Sequence, residues 1–210
     1  MQKFTELTAI AAPLMRPNVD TDVIIRIERL IGAPRAEMGR WCFESWRYLP
    51  DGSEAPGFLL NQLPWRHAGI LLNGPNFGCG SSREGAVWAL MGLGIRCVIA
   101  PSFGDIFFNN CFQNGMLPVV LSADVIESIA AQVIEDPGRR PVTVSLVDGV
   151  VVAPDGTRHA FDVDPLRRRA LLEGLDDIGL SLLREAEIAA FQARDAVSRP
   201  WVYPARQGAA

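Results

Sequence analysis

AGILLNGPNFGCGSSREGAVWALMGLGIRCVIAPSFGDIFFNNCFQNGMLPVVL, residues 68–121, is the stretch on which the fold turns. Its apolar runs 68–73, 96–100 and 116–121 are too short for helices and lie between Gly, Pro and Asn, so each reads as a buried strand. Between them, 83–94 and 103–115 carry helical patterns that stop at glycines, Gly92 and Gly94 in the first and Gly115 in the second. Strand, helix, strand, helix, strand in short succession predicts a parallel βαβ core.

Outward from that core, FTELTAIAAPL (4–14) reads as a strand. NVDTDVII (18–25) reads as a turn followed by another short β-branched run. Residues 32–64, rich in Gly, Pro and aromatics, read as long loops with one short helix, a region suited to binding residues. On the other side, 123–135 is an amphipathic helix closed by Asp136-Pro137-Gly138. Residues 142–164 hold two Asp-Gly turns between β-branched runs, which predicts an antiparallel meander. Helices are expected at 165–173 and 186–196, and the stretch 197–210 as a loosely ordered tail. The whole is a single α/β domain over 1–196, with mixed parallel and antiparallel sheet and flanking helices.

Of the 210 residues, 49% are apolar and 21% charged, a globular composition with enough chain for a sizeable core. A net charge of −4 without a basic patch argues against nucleic acid. The longest apolar runs fall short of a membrane span, and MQKFTELTAI lacks a basic-then-apolar leader, so a cytoplasmic protein is expected. Cys42, Cys79, Cys97 and Cys111 lie far apart without a C-x-x-C pair, and the histidines are only His67 and His159. That spacing speaks against a zinc knuckle or a local iron–sulfur run, and no metal site is expected on the chain.

The polar chemistry concentrates in NGPNFGCGSSREGAVWAL, residues 73–90. A Gly-rich loop entering a helix presents free N–H groups and the positive end of the helix dipole, a setting that binds anions, carboxylates included. Arg83 adds a planar fork suited to a carboxylate. The same residues admit a purely structural reading, because Ser81-Ser82-Arg83-Glu84 fits the S-x-x-E capping box, with Glu84 reaching back to Ser81. A Walker A loop is excluded, since no Gly-Lys-Ser/Thr follows. Pattern alone leaves both readings open.

The longer strings go further. NFGCGSSRE with WAL, VIAPSFGDIFFNNCFQNGMLPV (98–119), GLDDIGLSL (174–182), NVDTDVII and GRWCFESWRYL (39–49) closely resemble the small-subunit family of bacterial 3-isopropylmalate dehydratases (isopropylmalate isomerases). This is the swivelling β/β/α domain of the aconitase superfamily, made as a separate chain, and the resemblance runs from about residue 4 to 195. It implies a hydro-lyase that interconverts 2-isopropylmalate and 3-isopropylmalate by dehydration and rehydration in leucine biosynthesis. It also implies a partner, a large subunit that holds a [4Fe–4S] cluster, so that this chain supplies half of an active site and no cofactor of its own.

By motif position, the resemblance makes Ser81 the base, Arg83 a ligand of a substrate carboxylate and Ser82 a neighbouring hydrogen-bond donor. Thr21 and Asp22 match a pair in which the aspartate joins the active-site hydrogen-bond network, with a turn or cap as the competing reading of Asp22. Arg35, in GAPRAEMG, matches an arginine that grips the substrate, against a solvated loop arginine. His67 and His159 match no family role, and Cys79 is assigned to close loop packing. Two departures stand near the site: Gly85 where the family has histidine, and Arg26-Ile27 where it has Pro-Lys. They keep open a related 2-hydroxy diacid, such as methylmalate/citraconate or homoaconitate. A catalytically silent partner subunit and a free-standing anion-binding domain are the alternatives outside enzymology.

Overall fold

The computed structural model describes residues 1–32 and 34–203. Its opening stretch is two strands, β1 (Glu6–Ala9) and β2 (Ala11–Pro13), that enter different sheets. The chain crosses over at Ile10, whose carbonyl accepts from Gly69 N and Ile70 N at 3.1 and 3.2 Å. The reason lies in the residues. The polar–apolar alternation of Glu6-Leu7-Thr8 suits a sheet with one wet face, whereas Ala11 and Ala12 are fully buried and suit a central one. The single strand expected over 4–14 is thereby corrected.

The second correction falls on 18–25. Its β-branched run forms one helical turn, α1 (Thr21–Ile24), because Asp20 caps it by accepting from Val23 N at 2.7 Å and because Thr21 and Ile24 are buried. Capping and tertiary burial override the β propensity of Val23 and Ile24. The region 32–64 holds more helical turn than expected: a 3₁₀ segment Arg35–Trp41, α2 (Glu44–Arg47) and a 3₁₀ turn Leu59–Asn61. Phe43, Trp46 and Phe58 pack their rings together beneath it, with centroids 5.8 to 6.2 Å apart.

From there the chain alternates as its sequence predicts: β3 (Ile70–Leu72), α3 (Glu84–Gly92), β4 (Cys97–Ala100), α4 (Asp105–Asn114), β5 (Leu117–Val120) and α5 (Ala123–Glu135). The four strands β2-β3-β4-β5 pair in parallel in that order, with Ala11 opposite Ile70, Ile70 opposite Cys97 and Cys97 opposite Leu117. The expected meander is β6 (Val142–Ser145), β7 (Val150–Val152) and β8 (Arg158–Ala160). It joins β1 in a four-stranded antiparallel sheet ordered β1-β6-β7-β8.

Side chains alternate across the parallel sheet and so build two cores. Leu71, Val98 and Ala100 meet Ala86, Val87 and Leu90 of α3 and Phe107 and Cys111 of α4. Ile70, Leu72, Ile99 and Val119 meet Ile126, Ile129 and Val133 of α5 together with Val142, Val144 and Val151 of the antiparallel sheet. Antiparallel sheet, parallel sheet and helices form the layers, the β/β/α arrangement that the sequence resemblance implies. The carboxyl ends of β3 and β4 feed the loops 73–83 and 101–104, which is where an open parallel sheet gathers its chemistry.

Beyond the meander come α6 (Pro165–Glu173), α7 (Asp177–Leu182) and α8 (Glu185–Ser198). The sequence reading missed α7, although Asp176 marks its start by accepting from Gly179 N at 2.7 Å. α8 buries only Asp195 and runs two residues past the boundary expected at 196. Part of the expected tail is tied back: Arg199 donates to both oxygens of Asp195 at 2.7 and 2.8 Å, and Tyr203 Oη donates at 3.0 Å. The rest of the tail, 204–210, lies outside the described residues. Among the described residues no helix is long and apolar enough to cross a membrane.

Candidate active-site edge

The loop after β3 is fastened to the segment before α1 by backbone bonds. Gly78 N donates to Val19 O at 2.7 Å and Thr21 N to Cys79 O at 2.9 Å, so that Asp20 and Cys79 pair as a short parallel bridge. Gly80 is held at φ +89°, and a Cβ there would sit 3.3 Å from the Asp20 Cβ. Only glycine takes this backbone without strain at such close approach. Thr21, buried, donates from Oγ1 to the carbonyl of Ser81 at 3.0 Å. Two segments sixty residues apart are thus locked to each other with Ser81 at the junction.

The capping box does not form. The residue preceding the first turn of α3 is Arg83, and no side chain caps that end. Arg83 N bonds to Ser81 O at 2.9 Å, which turns Ser81 out of the helix, and the Glu84 carboxylate accepts from Asn114 Nδ2 at 2.8 Å. Neither Ser81 nor Ser82 is used to start the helix, and both are exposed. The cap reading of Asp22 fails in the same way, because Asp20 caps α1. Asp22 instead makes an ion pair with Arg83 Nη1, its own side chain 54% exposed and that of Arg83 only 14%. The guanidinium is therefore held against the protein while its carboxylate partner faces outward.

Thr21, Asp22, Ser81 and Arg83 form one connected group, with Ser82 beside it in the chain. Arg35 lies in a second group. It donates from Nη2 to Asn114 Oδ1 at 2.9 Å, and its guanidinium stacks on Trp88 with Cζ 4.9 Å from the ring centroid. Asn114 joins the two groups through Glu84, the residue after Arg83. Sequence reasoning missed Asp20 and Asn114, and it gave Glu84 another partner, Ser81, in place of Asn114. Asp20, three residues before a buried apolar run, carried a cap signal that was readable. Asn114, one residue before the glycine that ends α4, carried none.

The cysteines do not suit an iron–sulfur cluster. Cys42, Cys97 and Cys111 are fully buried, and desolvation pushes each thiol well above its usual range, against the thiolate a metal requires. Cys79, half-buried, is raised in the same direction by desolvation and then by the charge of Asp20. Among the described residues no three His, Cys, Asp or Glu side chains gather closely enough to hold a metal ion. A cavity of about 720 Å³ is lined by Arg26, Arg29, Trp41, Glu44 and Tyr48, and Ser81, Ser82 and Arg83 take no part in it. The serine loop lies at the surface, with Ser81 and Ser82 exposed.

Comparison with known proteins agrees with this architecture. The family model for the aconitase C-terminal domain matches residues 1–124, and that for the C-terminal domain of the 3-isopropylmalate dehydratase small subunit matches 177–205. The chain is similar to the 3-isopropylmalate dehydratase small subunit of Gluconacetobacter diazotrophicus, 53% identical over 204 residues that span 96% of this chain and 97% of that one. It is also similar to the small subunit of the same name from Gluconobacter oxydans, 52% identical over 202 residues and 96% of each chain. Among solved structures, 3-isopropylmalate dehydratase from Methanocaldococcus jannaschii has the same fold, with a TM-score of 0.64 at 24% identity over 88% of this chain and 98% of that one. A likeness this close, carried along nearly the full length on both sides, means that the chain belongs to the 3-isopropylmalate dehydratase small-subunit family.

Proposed function

We propose that this chain is the substrate-gripping half of a two-subunit hydro-lyase, working in the cytoplasm to interconvert 2-isopropylmalate and 3-isopropylmalate for leucine synthesis. The observation that carries the reading is the exposed junction of Ser81 with the Asp22–Arg83 pair, polar residues converging at the surface. An exposed polar cluster suits a site completed by a second surface. The reaction needs a base at a carbon-bound proton, cations for two carboxylates and a Lewis acid at the leaving hydroxyl. Lewis acidity is assigned to a [4Fe–4S] cluster on the large subunit, since the thiols of this chain are unsuited to hold one.

In this reading Ser81 Oγ takes the proton from carbon during dehydration and returns it during rehydration. A serine alkoxide is strongly basic and needs fixed donors at the place where charge develops. The first-turn N–H groups of Glu84 and Gly85 have no helical acceptor and lie at the positive end of α3. Arg83 supplies the fork for one substrate carboxylate, exchanging its bond to Asp22 for the substrate, while Asp22 keeps the guanidinium in place beforehand. Ser82 and the buried Thr21 complete the group, the first as a donor and the second by holding the Ser81 carbonyl. Arg35 is the cation for the second carboxylate.

The test is reconstitution. The purified chain should be colourless and inactive, and adding the iron-loaded large subunit without oxygen should give hydration of the unsaturated diacid. A brown, iron-containing preparation of this chain by itself would overturn the division of labour.

A further inference from the structure

Asn114 is 6% exposed, and all four hydrogen-bonding positions of its amide are used. Oδ1 accepts from Arg35 Nη2 at 2.9 Å and from Trp88 Nε1 at 2.8 Å. Nδ2 donates to Glu84 Oε1 at 2.8 Å and to Asn110 O at 2.9 Å. The orientation of the amide follows from its partners, since a flipped amide would set its NH₂ against two donors that cannot accept. Only an amide meets two donors on one side and two acceptors on the other.

The placement matters as much as the chemistry. The 3₁₀ segment Arg35–Trp41 rests on α3 where Gly39 meets Gly92 backbone to backbone. A Cβ on Gly39 would lie 2.2 Å from the Gly92 carbonyl carbon. Trp88 is one helical turn before Gly92 on α3 and Arg35 is four residues before Gly39, so the close crossing sets Arg35 over Trp88. Asn114 ends α4 and reaches both Arg35 and the first residue of α3. It thereby ties three separate elements at the point where Arg83 leaves the loop. Arg83 and Glu84 are neighbours of opposite charge, yet their side chains part, one to Asp22 and the other to Asn114.

We infer that Asn114 is a positioning residue for substrate binding, holding Glu84 off Arg83 and setting the first turn of α3 against Arg35. The inference rests on the reading of Arg83 and Arg35 as carboxylate ligands. Asn114→Asp keeps both acceptor bonds to Arg35 and Trp88 but removes the donors to Glu84 and to the Asn110 carbonyl and opposes two carboxylates. Glu84→Gln added to it restores a donor and an acceptor across the same contact.

The experiment is steady-state kinetics on 2-isopropylmalate with the two-subunit enzyme assembled from the full chain. Asn114→Asp should raise KM about tenfold, the worth of one charge-assisted hydrogen bond, with kcat within about threefold. Adding Glu84→Gln should bring KM back to within about threefold of the parent, because it removes the repulsion of two carboxylates and leaves only the contact with the Asn110 carbonyl unmade. Glu84→Ala removes the competing carboxylate and the link to Asn114 together, so it reads the setting of α3 against Arg35 alone and should raise KM about fivefold. An unchanged KM in Asn114→Asp or in Glu84→Ala, or a raised KM that Glu84→Gln leaves unrelieved, would overturn the positioning role. A parent enzyme that does not turn over 2-isopropylmalate would instead overturn the functional reading beneath it, so the two failures are distinct.

Discussion

Arg83 and Arg35 are both assigned to a carboxylate, and the fold treats them differently. Arg83 is nearly covered and already paired with a carboxylate, Asp22, on a loop fastened through backbone bonds to the segment before α1. Arg35 is exposed and held by a neutral amide and an indole face, on a 3₁₀ segment resting on two glycines, and among the described residues no carboxylate pairs with it. On the proposed reading, an arriving dianion would meet an arginine without a carboxylate partner at Arg35 and a paired one at Arg83. On that reading long-range attraction would fall to Arg35, and exchange of one ion pair for another to Arg83. Rigidity has two sources as well, main-chain bonds in one region and close packing in the other.

The largest expected effect falls on the loop. Ser81→Ala should cut kcat in the assembled enzyme by at least about a hundredfold, the usual scale for loss of a positioned base. Tm should stay unchanged, because the Ser81 carbonyl, and not its hydroxyl, anchors Thr21. A near-parental rate would leave the serine as a mere turn residue and remove the function from this half of the comparison.

The 3₁₀ region should answer through stability. Gly39→Ala drives a methyl into the Gly92 backbone, which cannot swing aside, and should cost about 2–3 kcal/mol in denaturant unfolding. KM should rise in the same variant as Arg35 is lifted from Trp88. A stable Gly39→Ala chain with parental KM would show that the crossing does not place Arg35.

The smallest effect is expected at Gly85, in the first turn of α3. The sequence suggests that Gly85 vacates the room of a family histidine, but Leu30 fills it, with Cδ2 2.3 Å from a Cβ built on Gly85. Gly85→His should therefore destabilise by about 1 kcal/mol, in place of the small gain that helix propensity alone predicts. Adding Leu30→Ala should relieve part of that cost, since the obstacle is the end of a flexible side chain. Destabilisation that Leu30→Ala leaves untouched would place the obstacle elsewhere.

The alternation over 68–121 was legible because period and punctuation are local properties: each strand is a short apolar run and each helix ends at a glycine. So was the meander, from its Asp-Gly turns at 148–149 and 155–156. Other features depended on partners distant in sequence. Glu6–Ala9 and Ala11–Pro13 divide between two sheets because strands beginning at residues 142 and 70 are there to receive them. The run at 21–24 becomes a helical turn because its apolar side has a core to enter. The S-x-x-E pattern was a sound local signal that lost, since Asn114, thirty residues on, offers the Glu84 carboxylate a buried donor that a solvated cap cannot match. The sequence by itself determined the βαβ core, the loop that carries Ser81 and, through its motifs, the family. The tertiary structure alone decided which groups pair across that loop, because a hydrogen bond is chosen by which donor and acceptor the packed fold brings within about 3 Å, and chain distance does not enter that choice.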